Sequence, residues 1–205
     1  PTVRTAGTDQ SVCTVCGIGY FSSNGLATGT NTGCTACNTG YSTSSHSTTG
    51  IDQSACDACD AGYYSTTGYA TSTSTGCTAC GAGYTTLNRR SATNEVICDA
   101  GYAGTPVGGT SGCSICPVGS YASAGIGKVC TVCNAGYTTA SSGTPGTDQS
   151  ACNVCAQGYY SATGNASGVN DGCTQCNTGY TTAGSGTVIG SVLCDAGYAG
   201  TPVSG

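Results

Sequence analysis

Cysteine recurs along the chain in pairs of the form C-x-x-C, and the regular spacing of these pairs constrains the fold more than any other feature. Eight pairs and two single residues, Cys98 and Cys194, make up the 18 cysteines of the 205-residue sequence. The pairs are Cys13/Cys16, Cys34/Cys37, Cys56/Cys59, Cys77/Cys80, Cys113/Cys116, Cys130/Cys133, Cys152/Cys155 and Cys173/Cys176. A cysteine content this high indicates a scaffold held by disulfides, and we expect all 18 residues to take part in it.

The sequence that follows each cysteine pair defines a repeat. The second cysteine is followed by x-x-Gly-Tyr or a close variant, as in CNTGYST and CDAGYYS. Cys98 and Cys194 align with the second cysteine of a pair, because Glu95 and Ser191 stand where the first would be. The chain is therefore organised as ten units of about 17–22 residues.

A longer duplication is superimposed on this short repeat. Residues 34–107 match residues 130–203 at a constant offset of 96, without a gap. We therefore predict two repeat blocks of five units each, residues 1–107 and 108–205. The sequence before successive pairs tends to alternate between Asp-Gln-Ser-x-Cys and x-x-Gly-Cys, which favours a module of two units.

The remaining composition is too poor in large apolar residues to build an ordinary core. Glycine and threonine occur 35 times each and serine 24 times, against three leucines, six isoleucines and one phenylalanine. Ordering the backbone costs roughly 1–2 kcal/mol per residue, and the apolar burial available here does not offset it. Disulfides, at about 2–4 kcal/mol each, are expected to supply the difference.

Secondary structure is expected to consist of very short elements. No segment has the apolar period of 3.6 residues that indicates an amphipathic helix. Residues 19–22 and 158–161 are predicted to form brief strands, and the polar stretches between them are predicted to form turns. The predicted fold is a small disulfide-rich repeat array, an elongated rod of short β-hairpin and loop units with little or no helix.

Charge and hydropathy exclude several classes of protein. The net charge is −5 and only four residues are basic, so no basic face for nucleic acid is expected. The longest apolar runs are too short to span a bilayer. The sequence opens at Pro1 without a signal peptide, which favours a mature or trimmed product.

Cysteine pairs at this spacing also occur in zinc sites and in redox-active sites. The spacing from Cys13 to Cys37 also fits a zinc ribbon. Each block holds nine cysteines, however, and His46 is the single histidine, so the residues do not divide into groups of four. A redox motif of the thioredoxin type occurs once, at a helix start, whereas this motif occurs eight times.

The disulfide pairing stays open at the level of the sequence. One scheme joins the second cysteine of a pair to the next first cysteine, as in Cys16–Cys34 and then Cys80–Cys98, and it leaves Cys13 and Cys113 without partners. An interlaced scheme, beginning with Cys13–Cys34 and Cys16–Cys37, leaves Cys98 and Cys194. An odd number per block implies a bridge between blocks, a bridge to another chain or a free thiol, and we predict continuation to a neighbouring module or molecule.

The recurrent Gly-Tyr also admits two interpretations. Glycine permits a positive φ or a close backbone approach, and a tyrosine ring can pack on a neighbouring disulfide with its hydroxyl in water. A row of aromatic rings that binds carbohydrate is the functional alternative. Recurrence in every unit favours the structural interpretation.

No constellation of polar residues points to catalysis. Asp9, Asp52 and Asp148, each in Asp-Gln-Ser, are predicted to cap turns, since one carboxylate per loop is too few for calcium. Five further aspartates are scattered without the context of a general acid and base: Asp57, Asp60, Asp99, Asp171 and Asp195. His46 is predicted to be a solvated loop residue. We therefore predict no enzyme activity, no metal site and no cofactor.

Modification of the loops by sugars is expected in a secreted protein. Asn165 begins the single N-x-[ST] sequon, and it falls in a predicted loop. The hydroxyl-rich stretches 42–49 and 71–75 are candidates for O-linked sugars.

The array of C-x-x-C-x-x-G-Y units with Thr/Ser/Gly/Ala loops, as in CTACNTGYSTSS and CDACDAGYYSTTG, resembles the cysteine-rich surface antigens of ciliates, the immobilization antigens. The resemblance covers residues 13–203 and implies a secreted coat protein held on the cell and ciliary membrane by a C-terminal lipid anchor. Gly205 is the candidate anchor site, because the sequence ends in small residues. The units look more distantly like the cysteine-rich repeats of ephrin-receptor and tumour-necrosis-factor-receptor ectodomains.

Three functions follow as hypotheses. The first is a non-enzymatic extracellular coat protein that presents polar loops, with neighbouring copies of itself or other coat proteins as partners and a lipid anchor as its membrane contact. The second is a structural subunit of an extracellular filament or ciliary hair, built by head-to-tail stacking. The third is a receptor-like module that binds a protein ligand along one edge.

Overall fold

Short strands and tight turns make up nearly all of the regular structure. The computed structural model describes residues 15–28 and 32–202, and over these residues it contains strands, 3-10 helices and no α-helix. The predicted class, a small disulfide-rich array of short strands with little helix, is confirmed. The chain groups into two compact units, Pro1–Ile97 with Val107–Ser111, and Cys98–Pro106 with Gly112–Gly205. The boundary between repeat blocks after residue 107 stays a prediction from the duplication.

The first unit contains strands of two or three residues. They are β1 (Tyr20–Ser22), β2 (Thr35–Ala36), β3 (Tyr41–Ser42), β4 (Thr48–Thr49), β5 (Ala58–Cys59), β6 (Tyr63–Tyr64), β7 (Thr78–Ala79) and β8 (Tyr84–Thr85). Strand β1 pairs antiparallel with β2 and parallel with β4, whereas β3 and β6 pair antiparallel with β5 and β7. Two 3-10 helices span Gln53–Ala55 and Thr93–Glu95. The chain passes from this unit to the second through β9 (Ile97–Cys98).

The same pairing recurs in the second unit. Its strands are β10 (Tyr102–Val107), β11 (Ser111–Ile115), β12 (Ser120–Ala122), β13 (Thr131–Val132), β14 (Tyr137–Thr138), β15 (Thr144–Pro145), β16 (Val154–Cys155), β17 (Tyr159–Ser161), β18 (Thr174–Gln175), β19 (Tyr180–Thr181), β20 (Thr187–Val188) and β21 (Leu193–Cys194). Strand β12 pairs antiparallel with β13 and parallel with β15, and β17 does the same with β18 and β20. Antiparallel pairs also join β14 to β16 and β19 to β21, and β10 pairs with β11. A 3-10 helix spans Gln149–Ala151.

The Gly-Tyr motif builds the turn that starts each unit. In the unit of Cys37, the N–H of Tyr41 donates to the carbonyl of Asn38 at 3.0 Å, and Gly40 is the third residue of the turn with φ +88°. All ten motif glycines have φ between +80° and +89°. A turn with a positive φ at its third residue favours glycine, so the predicted role of this glycine is confirmed.

A buried threonine ties each two-unit module together. Thr43 accepts a hydrogen bond from the N–H of Gly19 at 3.0 Å, and its hydroxyl donates to the carbonyl of Ser45 at 2.9 Å. Thr86, Thr139 and Thr182 accept the same bond from the glycine of the preceding unit. The tie and the parallel strand pairing both join the first unit of a pair to the second. The units are therefore grouped two by two, which gives the structure the two-unit module indicated by the sequence.

Cysteine and threonine occupy many of the buried positions that leucine occupies in an ordinary protein. The largest side chains that are completely buried are Thr43, Thr139, Thr182, Cys16, Cys56, Cys59, Cys98, Cys116, Cys152, Cys155 and Ser42. The three leucines are all exposed. Buried hydroxyl groups in folded proteins are usually hydrogen-bonded. The threonines of the ties follow this rule, whereas the Oγ of Ser42 has no hydrogen-bond partner among the described residues.

We expect Thr43→Val to lower the free energy of unfolding by about 1–3 kcal/mol, because the N–H of Gly19 loses its acceptor in the interior. Thr39→Val is the matched control, since Thr39 lies four residues earlier and is exposed. Urea unfolding followed by circular dichroism measures both variants. Equal stability of the two variants would contradict a structural role for the threonine tie.

Candidate functional site

Seven disulfides join successive units among the described residues. They are Cys16–Cys34, Cys37–Cys56, Cys59–Cys77, Cys98–Cys113, Cys116–Cys130, Cys133–Cys152 and Cys155–Cys173. The Cα atoms of the bonded residues lie 5.4–5.8 Å apart, within the range that a disulfide requires. Each bridge links the second cysteine of one unit to the first cysteine of the next.

The pairing settles the two schemes left open by the sequence. The interlaced scheme is wrong, because Cys34 is bonded to Cys16 and not to Cys13. The sequential scheme is right for most bridges, but its Cys80–Cys98 bond is wrong because Cys98 is bonded to Cys113. The physical reason is that Glu95 stands where the first cysteine of that unit would be, so that Cys98 holds the position of a second cysteine and bonds to the following unit, as in the other six bridges. Cys113 therefore has a partner, and this bond crosses the boundary between the two repeat blocks.

Two described cysteines hold thiols. Cys176 and Cys194 are both half-buried and not disulfide-bonded. Burial raises the pKa of the Cys176 thiol above its ordinary value. The Sγ of Cys194 lies 3.3 Å from the carbonyl oxygen of Gly200 and donates to it. Cys80 is half-buried, and Cys13 lies outside the described residues.

The glutamine of Asp-Gln-Ser has a role that sequence reasoning missed. The side chain of Gln53 spans Cys37: its Oε1 accepts from the N–H of Asn38 at 2.9 Å, and its Nε2 donates to the carbonyl of Ala36 at 2.9 Å. Gln149 makes the same two bonds around Cys133. The signal in the sequence was the recurrence of the whole triplet before a cysteine.

The aspartate of the same triplet caps a 3-10 helix, as the sequence predicted. Asp52 accepts from the N–H of Ser54 at 2.8 Å, and Asp148 accepts from the N–H of Ser150 at 2.9 Å. Hydrogen bonds from the side chain and backbone of Ser54 lower the pKa of Asp52, and those from Ser150 lower the pKa of Asp148. Asp9 lies outside the described residues.

We expect the pKa of the Asp52 and Asp148 carboxyl groups to lie below the ordinary value of an aspartate in the folded protein, because each accepts hydrogen bonds from the serine two residues on. Because the folded pKa is depressed, the cap adds stability above the unfolded pKa and loses it as the pH falls through the folded pKa. Carbon-detected NMR titration measures both midpoints. Ser54→Ala is expected to raise the midpoint of Asp52 and to leave that of Asp148 unchanged; a common shift of both would contradict the local cause.

The other aspartates also have local partners. Asp57 accepts from both the N–H and the hydroxyl of Ser44, and Asp60 forms an ion pair with Arg89 at 2.9 Å. Asp99 and Asp195 each accept from the N–H of the next residue, and Asp171 accepts from the hydroxyl of Ser167. No group of three or more His, Cys, Asp or Glu residues with metal-binding geometry occurs in the part of the chain that the structure describes. The absence of enzyme activity stays a prediction.

Three tyrosine rings, those of Tyr63, Tyr159 and Tyr198, lie against the motif glycine of the preceding unit. A Cβ placed on Gly40 would lie 2.6 Å from the ring of Tyr63, so that ring covers the preceding turn. Three rings from successive units, Tyr20, Tyr41 and Tyr63, line one open depression beside the Asp60–Arg89 pair. The predicted packing of rings on disulfides and the alternative of carbohydrate binding both stay predictions.

The loop residues singled out for modification differ in exposure. His46 and Asn165 are exposed, as are most of residues 71–75. Ser42 and Thr43 are buried, so the prediction that stretch 42–49 accepts O-linked sugars is wrong for its first two residues. Glycosylation of Asn165 stays a prediction, and Gly205 lies outside the described residues.

These features define a class: a repeat protein whose interior consists of disulfides and hydrogen-bonded threonines. Seven disulfides indicate an extracellular or secreted protein. Comparison with known proteins adds no family, because no family model matches the chain and no curated protein gives a significant match. Over the described residues no helix has the length and apolar character to cross a membrane.

Proposed function

We propose that this protein is a non-enzymatic component of an extracellular surface coat. The observation that carries the proposal is that each unit combines a rigid interior with exposed polar loops. Disulfides and buried threonines fix the turns, while loop residues such as 45–47 and 71–73 are polar and exposed. An array of this type holds many neutral, hydroxyl-rich loops in fixed positions.

The low charge supports the same function. Only 6% of the residues are charged, against roughly 25% in an ordinary soluble protein. Much of the surface therefore consists of small hydroxyl and glycine residues, together with exposed apolar side chains such as Ile51 and Val129, and it offers few ionic contacts. The resemblance to the immobilization antigens of ciliates supports a place on the cell or ciliary membrane, with a glycolipid on Gly205 as the proposed anchor.

Surface exposure is tested on intact cells of the source organism. Antibodies raised against the exposed loop 71–75 are expected to label cells without permeabilisation, and a phospholipase that cleaves glycolipid anchors is expected to release the antigen. An antibody against residues 52–59, which include the buried Cys56 and Cys59, is the control and should bind only reduced protein. Labelling restricted to permeabilised cells would overturn the proposal.

Glycosylation is a separate proposal with its own measurement. We expect material secreted by a eukaryotic host to carry an N-glycan on Asn165, because the side chain is exposed in its loop. Intact mass before and after treatment with an N-glycosidase detects it, and Asn165→Gln is expected to remove the mass difference. Asn153→Gln is the matched control, since Asn153 lies in no sequon. A mass equal to the polypeptide mass in the wild-type protein would contradict the proposal.

A second function, the subunit of an extracellular filament, is favoured by one specific observation. Cys176 is half-buried and in no disulfide, because Ser191 stands where the first cysteine of the next unit would be. Head-to-tail stacking that bonds this thiol to a neighbouring copy would extend the array. Electron micrographs of native material decide between the two functions, because the filament requires end-to-end polymers and the coat does not.

A further inference from the structure

The open depression beside the ion pair of Asp60 and Arg89 combines aromatic rings with two fixed opposite charges. All of its lining residues belong to the first compact unit. Its volume of about 420 Å³ is within the range of small-molecule sites. Tyr20 is 47% exposed, and Tyr41 and Tyr63 are half-buried, so all three rings retain apolar surface for a ligand to cover.

The second repeat block contains the scaffold of this depression without its charges. The rings of Tyr41 and Tyr63 recur there as Tyr137 and Tyr159. The other three positions differ: Tyr20, Asp60 and Arg89 correspond to Ser120, Ala156 and Ser185. The same turns and strands form in both blocks, and an exposed ion pair contributes little to stability. The repeat therefore does not need these three residues in order to fold, which favours a function for them.

Backbone hydrogen bonds hold the ion pair in place. The N–H of Asp60 donates to the carbonyl of Gly40 at 3.0 Å, and the N–H of Arg90 donates to the carbonyl of Cys59 at 2.8 Å. The Nε of Arg89 donates to Oδ1 of Asp60 at 2.9 Å. Both side chains stay accessible, with exposed fractions of 47% for Arg89 and 40% for Asp60. Groups that are fixed before a ligand arrives lose less entropy on binding.

A buried hydroxyl also lines the depression. Ser42 is completely buried, and its Oγ has no hydrogen-bond partner among the described residues. Buried hydroxyl groups normally have a partner, in the protein or in ordered water. A ligand that brings hydroxyl groups of its own, with a bridging water where the distance requires one, suits this position.

We propose that this depression binds a neutral hexopyranose at the end of a glycan. The apolar C–H face of the pyranose covers a tyrosine ring. Its hydroxyl groups donate to the carboxylate of Asp60 and accept from the guanidinium of Arg89. An ion pair offers acceptors and donors side by side at no net charge, which matches neighbouring hydroxyl groups of a sugar. A charged ligand would instead draw one member of the pair away from the other.

This site differs from a row of recurrent rings, because its polar groups occur in one repeat block only. It also goes beyond a passive coat, since it gives the surface a specific ligand. The depression is open, so the rest of the glycan extends into solvent. A methyl group on the anomeric oxygen therefore represents the remainder of the glycan in a test.

Binding is measured by NMR on the full oxidised chain, titrated separately with the methyl α-glycosides of glucose, mannose and galactose. We expect at least one glycoside to shift the ring signals of Tyr20, Tyr41 and Tyr63 and the Nε–H signal of Arg89 in a saturable manner. The dissociation constant should be on the order of 1 mM, since each ligand has only about 13 non-hydrogen atoms. The ring of Tyr137 is the internal control and should not shift.

Three variants introduce the residues of the second repeat block: Tyr20→Ser, Asp60→Ala and Arg89→Ser. Each is expected to raise the dissociation constant at least about tenfold, because it removes a stacking ring or a charge-assisted hydrogen bond. The urea midpoints of the two charge variants should match that of the wild type. Arg90→Ser is the matched control, because Arg90 stacks on Tyr69 and does not line the depression.

Several results would overturn the proposal. One is the lack of a saturable shift with all three glycosides, and another is an equal shift at Tyr137. Tighter binding of methyl glucuronide than of the neutral glycosides would show that the site selects an anion. An effect of Arg90→Ser as large as that of Arg89→Ser would show that net charge, and not contact, governs binding. None of these results bears on the coat function, which antibody labelling of intact cells tests separately.

Discussion

Reduction of the disulfides is expected to abolish the folded state at neutral pH. Each bridge closes a loop of 14–19 residues, which restricts the unfolded chain and contributes about 2–4 kcal/mol. The three bridges of the first unit and the four of the second therefore each sum to a value comparable with the roughly 5–15 kcal/mol that an ordinary domain has as its whole stability. The buried apolar side chains other than cysteine, such as Phe21 and Val96, are few and are not expected to replace the disulfides. Loss of resistance to a non-specific protease and of β-type circular dichroism after treatment with dithiothreitol measures the effect.

Removal of a single disulfide is expected to lower the free energy of unfolding without abolishing the fold. The double variant Cys155→Ala and Cys173→Ala is expected to lose about 2–4 kcal/mol, since Cys155 is completely buried and its loop spans 18 residues. Cys176→Ala is the matched control, because it removes a half-buried thiol that is in no disulfide. If the reduced wild-type protein kept its protease resistance, the hydrogen-bonded threonines alone would be holding the fold.

Much of the fold was predictable because its signals are local or strictly periodic. The strands at residues 19–22 and 158–161 appear as β1 and β17, each starting at the tyrosine of the motif. The turn glycine was predictable for a steric reason, since a positive φ excludes most other residues. The cap by Asp52 was predictable because an aspartate acts on a backbone N–H only two residues away.

The contacts that sequence reasoning missed join residues far apart in the sequence. Thr43 accepts from Gly19, which lies 24 residues earlier in the preceding unit, and Gln53 reaches Asn38, which lies 15 residues earlier in its own unit. No local rule connects such residues, because the contact exists only in the folded chain. A weak signal was present for the threonine: units that begin at Cys37, Cys80, Cys133 and Cys176 read Gly-Tyr-Ser-Thr or Gly-Tyr-Thr-Thr.

The error at Cys98 has a physical origin as well. Counting cysteines along the chain makes Cys98 the next partner for Cys80. In the structure, however, a cysteine's place within its repeat unit decides its partner. Cys98 holds the position of a second cysteine, and β9 places it toward the unit that follows. The substitution of the first cysteine by Glu95 therefore changes which residues are bonded without changing the direction of the bridges.

Two glycine variants separate the cost of backbone conformation from the cost of close packing. Gly101 and Gly197 occupy the same place in the same sequence, with φ of +85° and +87°. Gly197→Ala is expected to lose about 1–2 kcal/mol, which is the cost of a left-handed conformation for a residue with a Cβ. Gly101→Ala adds a collision with the carbonyl of Gly143, at 2.0 Å, and is expected to lose about 2–5 kcal/mol in total.

Urea unfolding of both variants, with the denaturant slope compared with wild type, measures this difference. The wild-type chain and the Gly197→Ala variant should unfold with the same slope, because the alanine methyl group at position 197 meets nothing within 4 Å. Equal losses in the two variants would mean that Gly101 is no more crowded than Gly197.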